Sequence, residues 1–308
     1  MTNFGVYLRV NHDHESILNL ALRAEELGFH SLWVNDHLIG FDPERKQDYL
    51  EAFTLMTYIA SKTKRVRIGH SVLCNSFRNP ALLGKMASTL DVLSEGRVEL
   101  GIGTGWYKEE YEAYGFKFPS PKERVLQLRE TLLILKEMFT KKRFDFKGRY
   151  WNLKNCINNP KPVQKPHPPI WVGGEKPLTI RLAAEFGDGY NMPHSYFEVA
   201  KKQLEILKGW CDDLGRSYEG MKKSWFGGLT ITKTLKEASE IAKERATGKV
   251  MFQEILQRSF IGTPEELISK LERFRDELGV ELFIFGIHAS RSVREPLGLF
   301  ADEVSSQF

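Results

Sequence analysis

The stretch Ala24-Glu-Glu-Leu-Gly-Phe-His-Ser-Leu-Trp-Val-Asn-Asp-His37 decides the fold. Its first residues end an amphipathic helix. Asp13 caps that helix, Ile17, Ala21, Ala24 and Leu27 form its apolar face, and Gly28 stops it. Ser31 to Asp36 then reads as a nearly continuous apolar run that finishes on Asn35, Asp36 and His37. A strand apolar on both faces belongs in a parallel sheet covered on both sides. One stretch therefore contains a helix, its stop, a buried strand, and polar groups at the strand's carboxyl end.

The same alternation recurs along the chain. Strand candidates are Phe4–Val10, Ser31–Asp36, Val66–Leu73, Val98–Gly105, Ile170–Gly174, Gly189–Met192, Phe226–Thr232 and Leu282–His288. Between them lie helical patterns, such as Val125, Leu128, Leu132, Leu135 and Phe139, and the capping box of Thr263 and Glu266 with Pro264 at the first helical position. Eight strands separated by helices predict an α/β fold, a (β/α)8 TIM barrel forming one domain over residues 1–308. An open sheet is compatible with the same alternation. Two insertions interrupt it, at about 141–169 and 233–262. The first is expected to hold a hairpin over Arg143–Trp151 turning at Lys147-Gly148, followed by an extended crossing through five prolines between Pro160 and Pro169. The second is expected to hold helical segments and no strand.

Composition narrows the function. The chain has 308 residues, 42% of them hydrophobic, and a net charge of +4. That balance is too weak to argue for nucleic acid. No run of about 18 apolar residues suggests a membrane span, and Met1–Val10 reads as a strand, not as a signal-peptide layout. Three dispersed cysteines, Cys74, Cys156 and Cys211, suggest a reducing cytoplasm. His12 and His14 are too sparse for zinc, so no metal is expected. Neither GxxxxGK[ST] nor GxSxG occurs, and Gly101-Ile-Gly-Thr-Gly105 lacks the third glycine of a dinucleotide-binding turn.

A barrel places its site at the carboxyl ends of the strands. There the sequence puts Asn11 and His12, then Asn35, Asp36 and His37, then Ser71 to Cys74, then Thr104, Gly105 and Trp106, then Gly173 and Gly174, then Asn191 and His194, and last His288. Imidazole exchanges protons near neutral pH, which makes His37 the leading acid–base candidate. Asp36 either orients it or caps the segment that follows. Gly173 and Gly174 precede a helix that begins at Pro177, and helix N-termini attract phosphate. Lys176 either adds a charge there or is a solvated surface lysine.

Five stretches together resemble the bacterial-luciferase-like superfamily. They are Ala24–His37; Gly69-His-Ser-Val-Leu73 with Asn79-Pro80; Arg97-Val-Glu-Leu-Gly-Ile-Gly-Thr-Gly-Trp106; Pro166-His-Pro-Pro-Ile-Trp-Val-Gly-Gly174 with Ala183–Tyr190; and Ile261-Gly-Thr-Pro-Glu-Glu-Leu267. Asp36-His37 and Gly173-Gly-Glu-Lys-Pro177 bring the chain nearer the branch that uses coenzyme F420, with FMN as the alternative cofactor. The resemblance implies an oxidoreductase that exchanges hydride between a deazaflavin and a small-molecule substrate, and a homodimer. The competing readings are an FMN monooxygenase and a non-catalytic flavin-binding protein.

Roles follow from the same resemblance. His37 and Asp36 lie by the cofactor ring, and Asp36 is a candidate acceptor for a ring N–H. Ser71 and Val72 form a non-prolyl cis peptide whose bulge presses on the back of the ring. Thr104 and Gly105 meet the ring edge, while Gly173, Gly174 and Lys176 hold the phosphate. His12, Trp106 and Asn191 line the substrate pocket. Relatives that oxidise sugar phosphates carry a glutamate as proton donor where this chain has Trp106. Glu109, or its neighbour Glu110, is the candidate to take over that task.

Overall fold

A computed structural model of the chain describes residues 2–41, 48–246 and 259–308. Eight parallel strands close into a barrel. They are β1 (Asn3–Tyr7), β2 (Ser31–Val34), β3 (Arg67–His70), β5 (Val98–Gly103), β8 (Ile170–Gly173), β9 (Gly189–Pro193), β10 (Lys222–Ile231) and β12 (Leu282–His288). Each pairs with the next in that order, and β12 returns to β1 with Phe4 opposite Phe283. This closure rules out the open sheet.

The outer helices are α1 (His14–Glu26), α2 (Ala52–Lys62), α3 (Pro80–Leu93), α4 (Lys108–Ala113), α5 (Pro121–Thr140), α6 (Pro177–Phe186), α7 (Phe197–Asp213), α8 (Leu235–Arg245) and α9 (Pro264–Leu278). Their ends follow the local chemistry. Asp13 accepts from the backbone N–H of Ser16, and Thr263 with Glu266 makes the expected capping box. The main core lies between strands and helices. A second, smaller cluster of Trp33, Trp171, Leu282 and Ile284 fills the barrel interior. Its two indoles meet edge to face at 6.2 Å. Each has a polar partner, Ser31 Oγ at 2.8 Å for Trp33 and the Glu99 carboxylate at 2.6 Å for Trp171. Burying the indole N–H groups without acceptors would be costly. With this plug below, the barrel interior has space for a ligand at its carboxyl end.

Four expectations need correction. The third strand does not run unbroken over Val66–Leu73. It stops at His70, a cis peptide joins Ser71 to Val72, and a two-residue strand β4 (Leu73–Cys74) resumes beside β5. The seventh strand begins at Lys222, four residues before Phe226. Its Lys223 is buried because its ammonium donates to the carbonyls of Met221 (2.9 Å) and Tyr218 (3.3 Å), so the polar letters hid a strand. The zone 233–262 does contain one, β11 (Phe260–Gly262). It pairs with Leu229–Ile231 along the edge of β10 that β9 has left. Residues 247–258 of that zone lie outside the described residues.

The hairpin exists as β6 (Phe144–Lys147) and β7 (Asn152–Cys156), but its turn spans residues 148–151. The reason is tertiary. The Glu130 carboxylate on α5 accepts from the backbone N–H groups of Arg149, Tyr150 and Trp151 at 2.6, 3.0 and 3.0 Å. Glu130→Ala strips the turn of these charge-assisted acceptors and is expected to cost about 1–3 kcal/mol, read as a lower urea midpoint.

Candidate active site

The carboxyl end of the barrel encloses a cavity of about 1310 Å³. Single-ligand pockets run to roughly 1,000 Å³, so this one has room for two reactants. Its wall includes His37, Ser71, Val72, Thr104, Gly105, Trp106, Gly173, Gly174, Lys176 and Asn191. Closure of the barrel brings these expected residues together from five strand ends and their following loops.

His37 is held in place there by a buried carboxylate. Its Nδ1 lies 2.7 Å from Glu110 Oε1, and the same oxygen accepts from the Leu38 N–H at 3.1 Å. Glu110 is buried, on the first turn of α4. A carboxylate only accepts, so the bond assigns the proton to Nδ1 and leaves Nε2 for the cavity. Over this pair sits an aromatic wall. Phe41 meets the imidazole edge-on at 4.6 Å and stacks on Trp106 at 5.6 Å. Trp106 is 64% exposed, so it is part of the cavity rim and not of the core.

Asp36 faces another way. It is buried and binds Arg78 through both oxygens, at 2.7 and 2.8 Å, and also accepts from the Cys74 N–H at 2.8 Å. Burial pushes its carboxyl up from the ordinary value, while the guanidinium pulls the other way. For Arg78, burial works against the charge, but Asp36 and Glu51 more than offset it and hold the cation above its ordinary value. The contacts of Asp36 thus anchor the strand end at Cys74 and do not reach His37.

Val72 points between two glycines. A Cβ on Gly103 or on Gly173 would stand 2.8 Å from a Val72 methyl carbon, so neither position accepts alanine without movement. Gly174 follows at φ +150°, and α6 starts at Pro177 with no side-chain cap. Pro177 has no N–H, and those of Thr179 and Ile180 donate to the Lys176 carbonyl at 2.9 and 3.0 Å, so the helix start attracts an anion through the positive end of its dipole. On the cavity floor the Asn191 amide donates to Ser224 Oγ at 2.9 Å. The Asn35 carbonyl oxygen is buried and has no hydrogen-bond partner among the described residues.

Two expected residues stand apart. Glu109 is exposed and does not line the cavity, whereas Glu110 does. On a helix, adjacent residues point about 100° apart, so only one of the pair turns inward. His12 is also exposed and outside the wall, one residue beyond Asn11, which lines it. Sequence reasoning missed Arg9, Arg78 and Phe41. Only Arg78 had a signal, because it adjoins the Asn79-Pro80 of the quoted motif.

Comparison with known proteins agrees with this geometry. Residues 2–259 match the family model described as luciferase-like monooxygenase. An F420-dependent glucose-6-phosphate dehydrogenase of Amycolatopsis mediterranei is 36% identical over 175 residues, covering 56% of this chain and 52% of the relative. In that match the chain spans about half the relative's length. F420-dependent glucose-6-phosphate dehydrogenase 2 of Rhodococcus jostii is 34% identical over 290 residues, 84% of each chain. Among solved structures, an F420-dependent secondary alcohol dehydrogenase in complex with an F420-acetone adduct superposes with a TM-score of 0.87 over 98% of both chains at 23% identity, which shows a shared fold. The motifs, the closed barrel and these matches together place the chain in the luciferase-like monooxygenase family.

Proposed function

We propose that this chain is a coenzyme F420-dependent oxidoreductase that exchanges hydride with a small organic substrate. One observation carries the reading. Within one cavity, the His37–Glu110 pair, the Val72 bulge and the anion-attracting start of α6 converge. The relatives named above, whose names carry F420, support the choice of cofactor.

The residues present fit a deazaflavin. Asn35 offers an unused buried acceptor to a ring N–H. Val72, held by the gap at Gly103 and Gly173, offers an apolar backing, with Thr104 and Gly105 beside it. Gly174, Lys176 and the first turn of α6 would hold the phosphate. When bound, a deazaflavin supplies two-electron hydride exchange at a ring carbon. The protein's own tasks are then to position the reactants, exclude water and manage one proton. His37 Nε2 carries that proton, with Glu110 fixing the tautomer and steadying the imidazolium. Trp106 and Phe41 shield the space above His37, and Asn191 closes it below.

Purified protein mixed with F420, with reduced F420 and with FMN tests the reading by fluorescence and absorbance titration. F420 is expected to bind and FMN to bind far more weakly. Tight binding of FMN alone, with oxygen uptake from reduced FMN, overturns the proposal in favour of the monooxygenase reading. The resemblance also implied a homodimer. Leu82 and Leu93, exposed three turns apart on α3, support it, and a monomer mass by light scattering would remove it.

A further inference from the structure

The cavity has a second cationic corner, across the barrel from the start of α6. Counting round the ring, β8 carries Gly173, and β1 is the fourth strand from it in either direction. Arg9, just past the end of β1, lines the cavity there. One of its guanidinium nitrogens lies 2.7 Å from Nε2 and 3.0 Å from Nδ1 of His288, at the end of β12. Arg245, the last residue of α8, adds a second guanidinium to the neighbourhood. Burial first, and then Arg9 and Arg245, hold the His288 imidazole down at about 4, so it stays neutral at physiological pH. Arg245 is itself pushed down by burial and by Arg9. The corner thus brings two guanidinium groups together, and among the described residues Arg9 has no carboxylate partner.

The adjoining wall is bare backbone. Gly227 and Gly228 on β10 and Gly286 on β12 line the cavity. Gly227 is required by its neighbour, because a Cβ would collide with the Trp225 indole. Gly228 and Gly286 are not so constrained. A Cβ on Gly228 would come no nearer than 3.7 Å to any atom, and one on Gly286 no nearer than 3.5 Å, which are ordinary contacts. Neither has a positive φ. Packing and backbone conformation therefore do not require these two glycines, and their effect is to keep space open beside Arg9. Tyr7 and Phe226, whose rings meet at 5.0 Å, border the same space.

We propose that this corner binds an oxyanion of the second reactant, a carboxylate or phosphate group, with Arg9 as the recognising cation and the Gly228–Gly286 wall accommodating the carbon skeleton. This deepens the oxidoreductase reading and rests on it. The cofactor's phosphate belongs at Gly173–Gly174, and Arg9 stands diametrically opposite, so the two anions do not compete. A guanidinium offers two parallel N–H donors, a geometry that suits either oxyanion.

The test uses the F420-loaded protein, so that the cradle at α6 is already filled. Acetate and inorganic phosphate are titrated separately, and cofactor fluorescence and calorimetry are followed. At least one is expected to bind saturably, and the stronger of the two identifies the class. Arg9→Gln should weaken that binding by about 10- to 100-fold, the worth of a charged hydrogen bond, and Arg9→Lys should restore part of it. The F420 affinity of Arg9→Gln, measured separately, reports whether the cofactor cradle is intact. If F420 binds but neither anion does, or if Arg9→Gln binds anions as the parent does, the oxyanion proposal is overturned and the hydride-transfer reading stands. If F420 does not bind at all, that reading fails. The same titrations on the free protein, parent against Arg9→Gln, then decide the anion site on their own.

Discussion

His37→Ala is expected to lower turnover by about 10²- to 10⁴-fold, the usual contribution of a positioned acid or base. The affinity for F420 should change far less, because the ring's backing and the phosphate cradle come from other strands. The imidazole is the cavity group best prepared for proton transfer, since the 2.7 Å bond from Nδ1 to Glu110 fixes both its orientation and its tautomer. Glu110→Gln keeps the shape of that bond but removes the charge that steadies the imidazolium. A smaller loss should follow, with a changed pH profile of kcat. Glu109→Gln should leave turnover within about twofold, since surface changes away from the site do little. Single-turnover absorbance of the deazaflavin measures all three. An unaltered rate in His37→Ala would remove the imidazole from the reaction, and equal losses in the two glutamate variants would remove the distinction drawn between them.

The second large effect is on stability. Arg78→Met leaves the buried Asp36 carboxylate, among the described residues, with the Cys74 N–H as its one remaining hydrogen-bond partner. Breaking a buried ion pair from one side costs about 3–5 kcal/mol, because the remaining charge must be desolvated without its partner or must neutralise. A clear drop in the urea midpoint is expected. Asp36→Asn should cost less, since it removes the charge that needs compensation and keeps an oxygen for the Cys74 N–H. The double variant should be less destabilised than the two singles added together. The site should respond as well, because Asp36 fixes the strand end that follows Val72. If Arg78→Met were within about 1 kcal/mol of the parent, the ion pair would not be holding this rim.

Much of the site was readable in the sequence because the motif residues fall at strand ends, and a barrel gathers strand ends. His37, Val72, Thr104, Gly173 and Asn191 reach the cavity for that reason alone. Arg9 carried no local sign of its role. An arginine after a strand is unremarkable until the ring closes and places His288 beside it. Phe41 was equally silent, since a lone aromatic in a loop becomes a wall only when Trp106 stacks on it. The strand β11 was hidden because three residues give too short a pattern, and its pairing depends on a stretch of β10 left free by β9.

By itself the sequence determined the alternating elements, the helix caps and the family. These depend on contacts within a few residues, or on motifs that are local by nature. Only the tertiary structure decided which of two adjacent glutamates braces His37, which partner Asp36 takes, and where Arg9 meets His288 and Arg245. Those pairings join groups as far apart as 73 residues for His37 and Glu110 and 279 for Arg9 and His288. No local preference encodes such contacts. They arise when the last strand docks against the first and the helix after β5, the fourth strand of the barrel, turns one face inward.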